Sequence, residues 1–353
     1  MAVRGILRSD MKILLTGAAG FIGSHLAERL CARGDQVVGF DNFDAFYPRT
    51  VKERNLVNLR RSDRFSLVEG DLTAPGDLDR AFTAAGGKVD LVVHLAALAG
   101  VRPSLSQPAR YTDVNVTGTV NVFETARKRE VTKVVFASSS SVYGSGSVVP
   151  FAENDVCATP LSPYAATKRA GELLAFSENH VHGTGVTCLR FFTVYGPRQR
   201  PDLAITKFTR LIAMGKQIEL FGDGSTSRDY TWVDDIIDGV VASIDQMARE
   251  TEGRMRIYNL GGSKTTTLKG LVDMISAGLG KKPVIDWKAE QPGDMKHTHA
   301  SVALAGKELG YAPKTDIEVG IASFVRWWCI EHAAELKAQG VRIETLPYLS
   351  PGR

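Results

Sequence analysis

The chain is short of cysteine, of net charge and of long apolar runs. Among its 353 residues are four cysteines, and the formal net charge is +4. Cys31, Cys157, Cys188 and Cys329 are too widely spaced for a disulfide framework or a zinc site, which favours a reducing cytosol. No apolar run reaches the roughly 18 residues of a membrane-spanning helix. Lysine and arginine are spread along the chain, so the sequence predicts a cytoplasmic protein with neither a membrane nor a nucleic acid as partner.

The remaining composition is that of a globular protein. Hydrophobic residues make up 44% and charged residues 23%, and the length suffices for one large domain or two. The first ten residues, MAVRGILRSD, contain neither the long apolar region nor the cleavage site of a secretory signal. We expect residues 1–10 to form a flexible extension ahead of the first strand.

Short apolar segments alternate with helical patterns through the first half of the chain. The sequence predicts strands at 12–16, 36–40, 65–71, 89–97 and 133–140, and helices at 24–34, 77–86, 114–129 and 164–180. Strands that are apolar almost throughout, alternating with helices, are typical of a parallel sheet covered on both faces. The predicted class is therefore α/β, with a doubly wound parallel sheet of the Rossmann type.

Beyond about residue 190 the alternation loosens into longer loops, which predicts a smaller C-terminal α/β domain for substrate. We expect residues 11–190 and 230–262 to form the dinucleotide-binding domain. Residues 191–229 and 263–340 are expected to form the smaller domain, followed by a tail at 341–353.

A glycine-rich loop, TGAAGFIGSH, follows the first predicted strand and opens the first predicted helix. Gly17, Gly20 and Gly23 let the backbone turn tightly and approach a ligand, while the helix N-terminus offers free N–H groups to a pyrophosphate. Asp41 ends the second strand, 18 residues after Gly23. A carboxylate there accepts hydrogen bonds from an adenosine ribose and repels a 2′-phosphate, which predicts NAD rather than NADP. The alternative is a set of turn glycines with no ligand.

Other cofactor contacts are predicted from the topology of such a sheet. Ligands of an open parallel sheet lie outside the carboxyl ends of its strands, so the residues near those ends and the glycine loop are candidates. Besides the glycines and Asp41, they are Phe21, Ile22, Asn42, Asp71, Leu72, Leu95, Ala96 and Ala97. For the alanines, ordinary packing remains an equally good interpretation.

The segment SPYAATKRAGE places Tyr164 and Lys168 four residues apart at the start of a predicted helix. Positions i and i+4 share a helix face. We expect the Lys168 ammonium and the positive ring of NAD⁺ together to lower the pKa of the Tyr164 phenol from its usual value near 10. Hydroxyls of Ser138–Ser141 end the preceding strand. A serine, a tyrosine and a lysine facing a nicotinamide suit proton transfer to and from a substrate hydroxyl. The alternative for Tyr164 and Lys168 is an ordinary surface pair.

Taken together, GAAGFIG, Asp41, HLAA, ASSSSVYG and YAATK resemble the extended short-chain dehydrogenase/reductase superfamily. LRFFTVYGPRQRPD, FGDGSTSRDYTWVDD and QPGDMKHTHAS resemble its nucleotide-sugar epimerase branch. Within that branch, DNFDAFYPRTVKERNL, LAALAGVRPSL and RFFTVYGPRQRPDLAITKFTRLI are most similar to the UDP-glucuronic acid 4-epimerases.

The resemblance implies roles for individual residues. Tyr164 is the base and acid, Lys168 holds both Tyr164 and the nicotinamide ribose, and Ser139 is the catalytic hydroxyl. The implied substrate contacts are Ser140 and Ser141 beside Ser139, Arg228 at the diphosphate, Asp294 at the nucleotide ribose, and Lys207 and Phe208 near the uracil. The resemblance also implies a homodimer formed through helices 114–129 and 164–180.

The implied reaction is C4 epimerisation of UDP-glucuronate to UDP-galacturonate through a 4-keto sugar, with NAD bound and not consumed. A 4-keto uronic acid is a β-keto acid, so the carboxylate must be held away from the orientation that releases CO₂. Thr193, Arg200 and Arg102 have suitable side chains for holding a carboxylate. For the arginines, surface charge or diphosphate binding is the alternative.

Other activities of the same fold remain open. A UDP-glucose 4-epimerase would need neither Arg200 nor Thr193. The related decarboxylases and dehydratases carry carboxylates after the catalytic hydroxyl, where this chain has serines, and NAD-sensing proteins typically lack the Tyr–Lys pair. His297 and His299 form an H-x-H pair without a carboxylate partner, so we predict a loop and no metal site.

Overall fold

The computed structural model describes residues 10–262, 264–289 and 295–349. Its strands are β1 Lys12–Thr16, β2 Gln36–Asp41, β3 Phe65–Glu69, β4 Leu91–His94, β5 Lys133–Ser139, β6 Gly185–Phe191, β7 Thr193–Tyr195, β8 Gln217–Phe221, β9 Ser227–Trp232, β10 Met255–Leu260, β11 Thr265–Thr267 and β12 Val284–Lys288.

The α-helices are α1 Phe21–Arg33, α2 Arg49–Asn55, α3 Asp77–Ala84, α4 Val101–Ser106, α5 Pro108–Thr112, α6 Gly118–Lys128, α7 Pro163–His182, α8 Ala204–Ala213, α9 Val233–Ala248, α10 Leu268–Leu279, α11 Ala303–Leu309, α12 Ile317–Glu331 and α13 Ala333–Ala338. A π-helical turn at Asp113–Thr117 leads into α6, and 3₁₀ turns lie at Leu59–Arg61, Ser140–Tyr143 and Ile343–Thr345.

The large sheet has seven parallel strands in the order β10-β6-β5-β4-β1-β2-β3. The chain builds outward from β1 to β3 and then resumes on the other side of β1 with β4. Helices α1 and α9 pack on one face of the sheet, and α3, α6 and α7 pack on the other. This arrangement confirms the predicted Rossmann-type fold and puts the switch point, where such folds bind ligands, between β1 and β4.

A smaller lobe follows the large sheet. Strand β9 pairs with β7 and β11, and β8 pairs with β12. Helices α8, α10 and α12 pack around an apolar core that includes Ile218, Phe324 and Trp328. Leu346 is fully buried in the same core, so at least this part of the predicted tail is packed against the lobe.

The element boundaries differ from the predicted ones where the chain faces the cleft. Strand β4 ends at His94 rather than at residue 97, and residues 95–100 run on without regular structure. The predicted helix 114–129 begins as the π-helical turn. In that turn the Asn115 side chain accepts a hydrogen bond from the Leu98 N–H (2.8 Å) and donates to the Leu98 carbonyl (2.9 Å). The turn and the irregular segment therefore support each other, an arrangement that residue periodicity does not reveal.

Candidate active site

A cleft of about 480 Å³ opens at the carboxyl ends of β1, β2, β4 and β5 and is closed on one side by the smaller lobe. The structure brings most of the predicted site residues to its wall. From the predicted cofactor set these are Gly17, Gly20, Phe21, Ile22, Gly23, Asp41, Asn42, Asp71, Leu72, Leu95, Ala96, Ala97, Tyr164 and Lys168. From the remaining candidates they are Ser139, Ser140, Ser141, Thr193, Arg200 and Arg228.

The glycine loop is shaped by close backbone approach. Gly17 has a φ of +73°, and a Cβ on it would lie 2.8 Å from the backbone nitrogen of Ala96. A Cβ on Gly23 would lie 2.1 Å from the carbonyl oxygen of Gly17. Helix α1 follows Gly20, which provides no side-chain cap. The first N–H groups of α1 therefore have no side-chain acceptor, and they face the cleft as a pyrophosphate cradle requires.

Asp41 ends β2 and is buried. Its carboxylate accepts hydrogen bonds from the backbone N–H groups of Ala19 (3.1 Å) and Phe43 (2.8 Å), and it pairs with the Lys52 ammonium at 3.2 Å. A carboxylate has about four acceptor positions, so one remains for a ribose hydroxyl. Sequence reasoning missed Lys52, because the segment that contains it was matched to the family as a whole and no role was given to this residue. The Lys52 charge also weakens the repulsion of a 2′-phosphate on which the NAD prediction relied.

Asp71 lies after β3 and organises the neighbouring loop. One oxygen accepts hydrogen bonds from the backbone N–H (2.8 Å) and hydroxyl (2.7 Å) of Thr73, and the other accepts from the Asn42 side chain at 2.8 Å. Burial raises the pKa of Asp71, but these hydrogen bonds outweigh it and the net shift is downward. Asp71 is therefore a charged acceptor at the wall of the cleft.

Helix α7 carries Tyr164 and Lys168 into the cleft. It begins at Pro163, and the Ser162 hydroxyl caps it by accepting a hydrogen bond from the Ala165 N–H at 3.1 Å. The Lys168 ammonium is buried and donates to the carbonyl oxygen of Ala137 at 2.7 Å. Burial lowers the pKa of Lys168 to about 8. A cation with this pKa is easily perturbed by whatever binds beside it.

The electrostatics of Tyr164 differ from the prediction. Burial raises the pKa of Tyr164, and the Ser139 side chain and the charge of Arg200 act against that shift. Lys168 is not among the influences on the pKa of Tyr164 in this structure. Arg200 was expected near the substrate carboxylate, and its effect on the phenol was missed.

Ser139 ends β5 and caps the 3₁₀ turn that follows it. Its hydroxyl accepts a hydrogen bond from the Ser141 N–H (3.2 Å) and donates to the Ser141 hydroxyl (3.1 Å). Ser139 and Ser141 are therefore joined by hydrogen bonds, and both line the same cleft as Tyr164.

A buried polar layer supports the floor of the cleft below these groups. His94 bridges the hydroxyls of Thr16 (2.8 Å) and Thr119 (3.1 Å), and the Thr16 hydroxyl accepts from the Ala96 N–H at 3.1 Å. Burial and the charge of Lys168 lower the pKa of His94 to about 3. The imidazole is therefore neutral, and it orients the cleft wall without adding charge.

The wall opposite the glycine loop comes from the smaller lobe. The Arg200 guanidinium donates through Nε (3.0 Å) and Nη2 (2.8 Å) to both oxygens of Asp202, and it lies over the ring of Phe46 at 5.2 Å. Thr193 starts β7 beside it. Arg228 donates to the backbone carbonyls of Ser227 (3.0 Å) and Lys296 (3.2 Å), which fixes its position at the rim of the cleft.

Other predicted residues lie elsewhere. Arg102 is exposed, with its guanidinium over the Phe221 ring at 5.0 Å. Phe208 is buried in the core of the smaller lobe, and Lys207 precedes it on α8. Neither these two residues nor Arg102 is among the described residues that line the cleft. Asp294 lies outside the described residues.

The structure adds lining residues that sequence reasoning missed, among them Phe46, Tyr47, Lys52, Met295 and Thr298. Tyr47 and Lys52 lie within the family-like segment DNFDAFYPRTVKERNL, which was quoted above only for its resemblance. That segment was the available indication that residues after Asp41 return to the cleft.

A switch-point cleft with a glycine cradle on one side and a group of hydroxyls with a buried lysine on the other defines a dinucleotide-binding enzyme of the Rossmann type. Residues 13–261 match the model of the NAD dependent epimerase/dehydratase family. The chain therefore belongs to that family.

Similarity to individual proteins narrows the class of enzyme further. The chain is 40% identical to UDP-glucuronate 4-epimerase 4 of Arabidopsis thaliana over 351 residues, which is 95% of this chain and 79% of the relative. A crystal structure of UDP-glucuronic acid 4-epimerase from Bacillus cereus, in complex with UDP-glucuronic acid and NAD, has a TM-score of 0.83 and 34% identity, covering 91% of this chain and 100% of that chain. UDP-glucose 4-epimerase of Thermotoga maritima, solved with UDP-glucose, has a TM-score of 0.81 and 29% identity, covering 91% and 99%.

The protein is thus an NAD-dependent nucleotide-sugar epimerase by family. The glycine cradle and the remaining acceptor position on Asp41 fit that cofactor. No helix within the described residues is long and apolar enough to cross a membrane. The same residues contain no cluster of three or more His, Cys, Asp or Glu side chains suited to a metal ion.

The homodimer stays a prediction. Leu173 and Phe176 of α7 are 55% and 61% exposed, which makes this helix an apolar surface of the kind that the prediction requires.

Proposed function

We propose that the enzyme epimerises UDP-glucuronate at C4 to UDP-galacturonate. The observation that carries the proposal is that Arg200 and Thr193 line the same cleft as Tyr164 and Ser139. A guanidinium and a hydroxyl beside the reacting group suit a sugar that carries a carboxylate at C6. The relatives named above as UDP-glucuronate 4-epimerases support the same substrate.

The pairing of Arg200 with Asp202 leaves donors for a substrate. A guanidinium has five N–H donors, and Asp202 occupies Nε and one position on Nη2. Both N–H groups of Nη1 and one on Nη2 remain. Asp202 therefore fixes the plane of the guanidinium, and the remaining edge of Arg200 offers two parallel donors to a second carboxylate.

The hydroxyls of Tyr164 and Ser139 carry out the proton transfer. Tyr164 takes the proton of the sugar 4-hydroxyl while Ser139 holds the same oxygen. NAD held by the glycine loop and Asp41 would supply the acceptor for the C4 hydride and its return to the opposite face of the sugar. Tyr164 then gives the proton back to the same oxygen, so the proton balance closes within the site. Lys168 holds the end of α7 against β5 through Ala137.

A uronic acid substrate also requires the chain to prevent the loss of CO₂. A 4-keto uronate loses CO₂ when the bond from C5 to the carboxylate lies perpendicular to the plane of the carbonyl. Thr193 and Arg200, holding the carboxylate from the smaller lobe, keep that bond out of the perpendicular orientation. Serines stand at 140 and 141, so the chain supplies no carboxylate there to assist elimination.

The test uses purified enzyme with UDP-glucuronate and, separately, UDP-glucose, with products resolved by chromatography. We expect UDP-galacturonate from the first and no UDP-pentose. Turnover of UDP-glucose alone would contradict the carboxylate assignment, and UDP-pentose as the main product would indicate a decarboxylase.

A neutral-sugar 4-epimerase is the second candidate, and one observation favours it. Arg200 already has a carboxylate partner, Asp202, at 2.8 Å, so the guanidinium is neutralised without a substrate. The Thermotoga maritima relative, solved with UDP-glucose, has the same fold. The ratio of kcat/KM for the two UDP-sugars decides between the candidates.

A further inference from the structure

Glu172 and Arg190 form a buried ion pair beside Ser138 that the proposed mechanism does not use. Glu172 on α7 and Arg190 on β6 have fully buried side chains. The guanidinium donates to both carboxylate oxygens, from Nε to Oε1 at 2.8 Å and from Nη2 to Oε2 at 2.9 Å. The Glu172 carboxylate also accepts from Ser138 Oγ at 2.6 Å and from Arg169 Nη1 at 2.9 Å.

The partners of Glu172 come from elements that must keep register for the proposed chemistry. Ser138 and Arg190 are direct neighbours in the register of β5 and β6. Ser138 immediately precedes Ser139. Arg190 also lies over the ring of Tyr143, at 4.7 Å, and Tyr143 ends the 3₁₀ turn that Ser139 caps. Glu172 therefore joins α7 to β5, whose end carries Ser139, and to the neighbouring strand β6.

Glu172 shares a helix face with the two reactive residues of α7. Tyr164, Lys168 and Glu172 follow at intervals of four residues, and Tyr164 lies about 12 Å along the helix from Glu172. Between them, a Cβ on Gly171 would lie 2.3 Å from the Phe136 ring, so α7 already touches β5 closely. Apolar contact of this kind is not directional, whereas three hydrogen bonds from β5 and β6 to the Glu172 carboxylate define both the rotation and the position of the helix.

We propose that Glu172 is a positioning residue: its carboxylate, clamped by Arg190 and Ser138, sets the placement of Tyr164 relative to Ser139. The proposal rests on the proposed function only in requiring that Tyr164 and Ser139 act together. It holds for a uronate and for a neutral sugar alike.

The first variant is Glu172→Gln, which keeps a hydrogen-bond acceptor for Ser138 and removes the charge that orients Arg190. We expect kcat to fall about 10- to 100-fold, since misplacement by about 1 Å has effects of that size, while KM changes little. The pH at which kcat rises should move upward. The Ser139 side chain acts to lower the pKa of Tyr164, and a displaced helix would move Tyr164 away from it.

Breaking a buried pair also destabilises a protein, so the design separates stability from positioning. The double variant Glu172→Leu with Arg190→Met removes both charges and keeps apolar volume. It should melt closer to the wild type than Glu172→Gln does and still lose kcat. Ser138→Ala should give a smaller loss in the same direction. The matched control is Asp35→Asn, which breaks the buried Arg33–Asp35 pair (2.6 Å) at the opposite end of the sheet, and it should lower the melting temperature without changing kcat.

Rates are measured on whichever UDP-sugar the wild type epimerises, so a wrong substrate assignment is visible in the wild type alone. A folded double variant with kcat within about twofold of wild type and an unmoved pH profile would overturn the proposal. Crystal structures of the wild type and the double variant test it independently of turnover. An unchanged separation of Tyr164 Oη from Ser139 Oγ in the variant counts against Glu172, and a lengthened one supports it.

Discussion

The glycine loop at Gly17–Gly23 is shaped by its backbone, whereas the opposite wall at Thr193 and Arg200 is shaped by side chains of the smaller lobe. On the glycine side a single added methyl meets a backbone atom at 2.1 Å. On the sugar side the Arg200 side chain is held by Asp202 and the ring of Phe46. At Gly17 and Gly23 the first wall has no room for a Cβ, whereas the second wall is held by contacts between side chains. We therefore propose that the first wall serves cofactor binding and the second serves substrate choice.

Tyr164 stands between the two walls, and its removal should have the largest effect. In Tyr164→Phe the site loses its general base, so we expect kcat to fall about 10²- to 10⁴-fold. The NAD retained by the purified enzyme, measured after denaturation, should not change, because the glycine wall is intact. Tyr111→Phe is the matched control: its ring meets that of Tyr164 at 6.3 Å, and its hydroxyl donates to the Ala99 carbonyl. Loss of NAD from Tyr164→Phe would break the proposed separation.

Gly23→Ala tests the backbone wall. The added Cβ would meet the Gly17 carbonyl oxygen at 2.1 Å, and overpacking of this kind costs about 1–3 kcal/mol. We expect NAD affinity to fall about 10- to 100-fold, as measured by titrating NAD into enzyme stripped of cofactor. Gly306→Ala on α11, where the new Cβ would meet its nearest neighbour at 3.5 Å, should leave NAD affinity unchanged. Equal NAD affinity in Gly23→Ala and the wild type would contradict the backbone account.

Arg200→Lys tests the side-chain wall. Lysine keeps the positive charge but lacks the planar pair of donors, so kcat/KM for UDP-glucuronate should fall about 10- to 100-fold relative to UDP-glucose. The ratio is the informative quantity, because Arg200 also influences the pKa of Tyr164 and that influence reaches both substrates. UDP-pentose should appear among the products as the carboxylate loses its fixed orientation. An unchanged ratio would assign carboxylate recognition to another residue.

The two walls also differ in how far the sequence predicted them. Gly17, Gly23 and Asp41 follow from a backbone rule with fixed spacing, and the structure places all three at the cleft. Thr193 and Arg200 were chosen because their side chains suit a carboxylate. Arg102, chosen in the same way, does not line the cleft, and neither does Phe208, which the resemblance implied. Lys52 and Asp202 lie within the quoted segments DNFDAFYPRTVKERNL and LRFFTVYGPRQRPD, but their pairing with Asp41 and Arg200 depends on how those segments fold, and it was missed. Side-chain pairing across loops leaves no periodic pattern in a sequence.

The lowered pKa of Lys168 predicts a pH dependence of stability. Burial lowers its pKa to about 8, against about 10.4 for a lysine in an unfolded chain. The cost of burying the charged ammonium is therefore present below pH 8 and is relieved as the pH rises from about 8 to about 10.4. The melting temperature of the wild type should rise across that interval relative to Lys168→Met, which has no proton to lose. A constant difference between the two proteins would show that Lys168 titrates normally.

Thr193→Val should have the smallest effect and gives the finest test of the sugar wall. Valine keeps the shape of threonine and removes one hydroxyl, and a single hydrogen bond is worth about 0.5–1.5 kcal/mol. The kcat/KM ratio of UDP-glucuronate to UDP-glucose should therefore fall about 3- to 10-fold, with NAD retention and melting temperature unchanged. Thr187→Val is the control, since the buried Thr187 hydroxyl on β6 has no hydrogen-bond partner among the described residues. Since both variants remove a hydroxyl from a β-branched side chain, a change in the ratio that is confined to Thr193→Val can be attributed to the substrate carboxylate. An equal change in both variants would trace it to packing instead, and Arg200 would then carry the recognition alone.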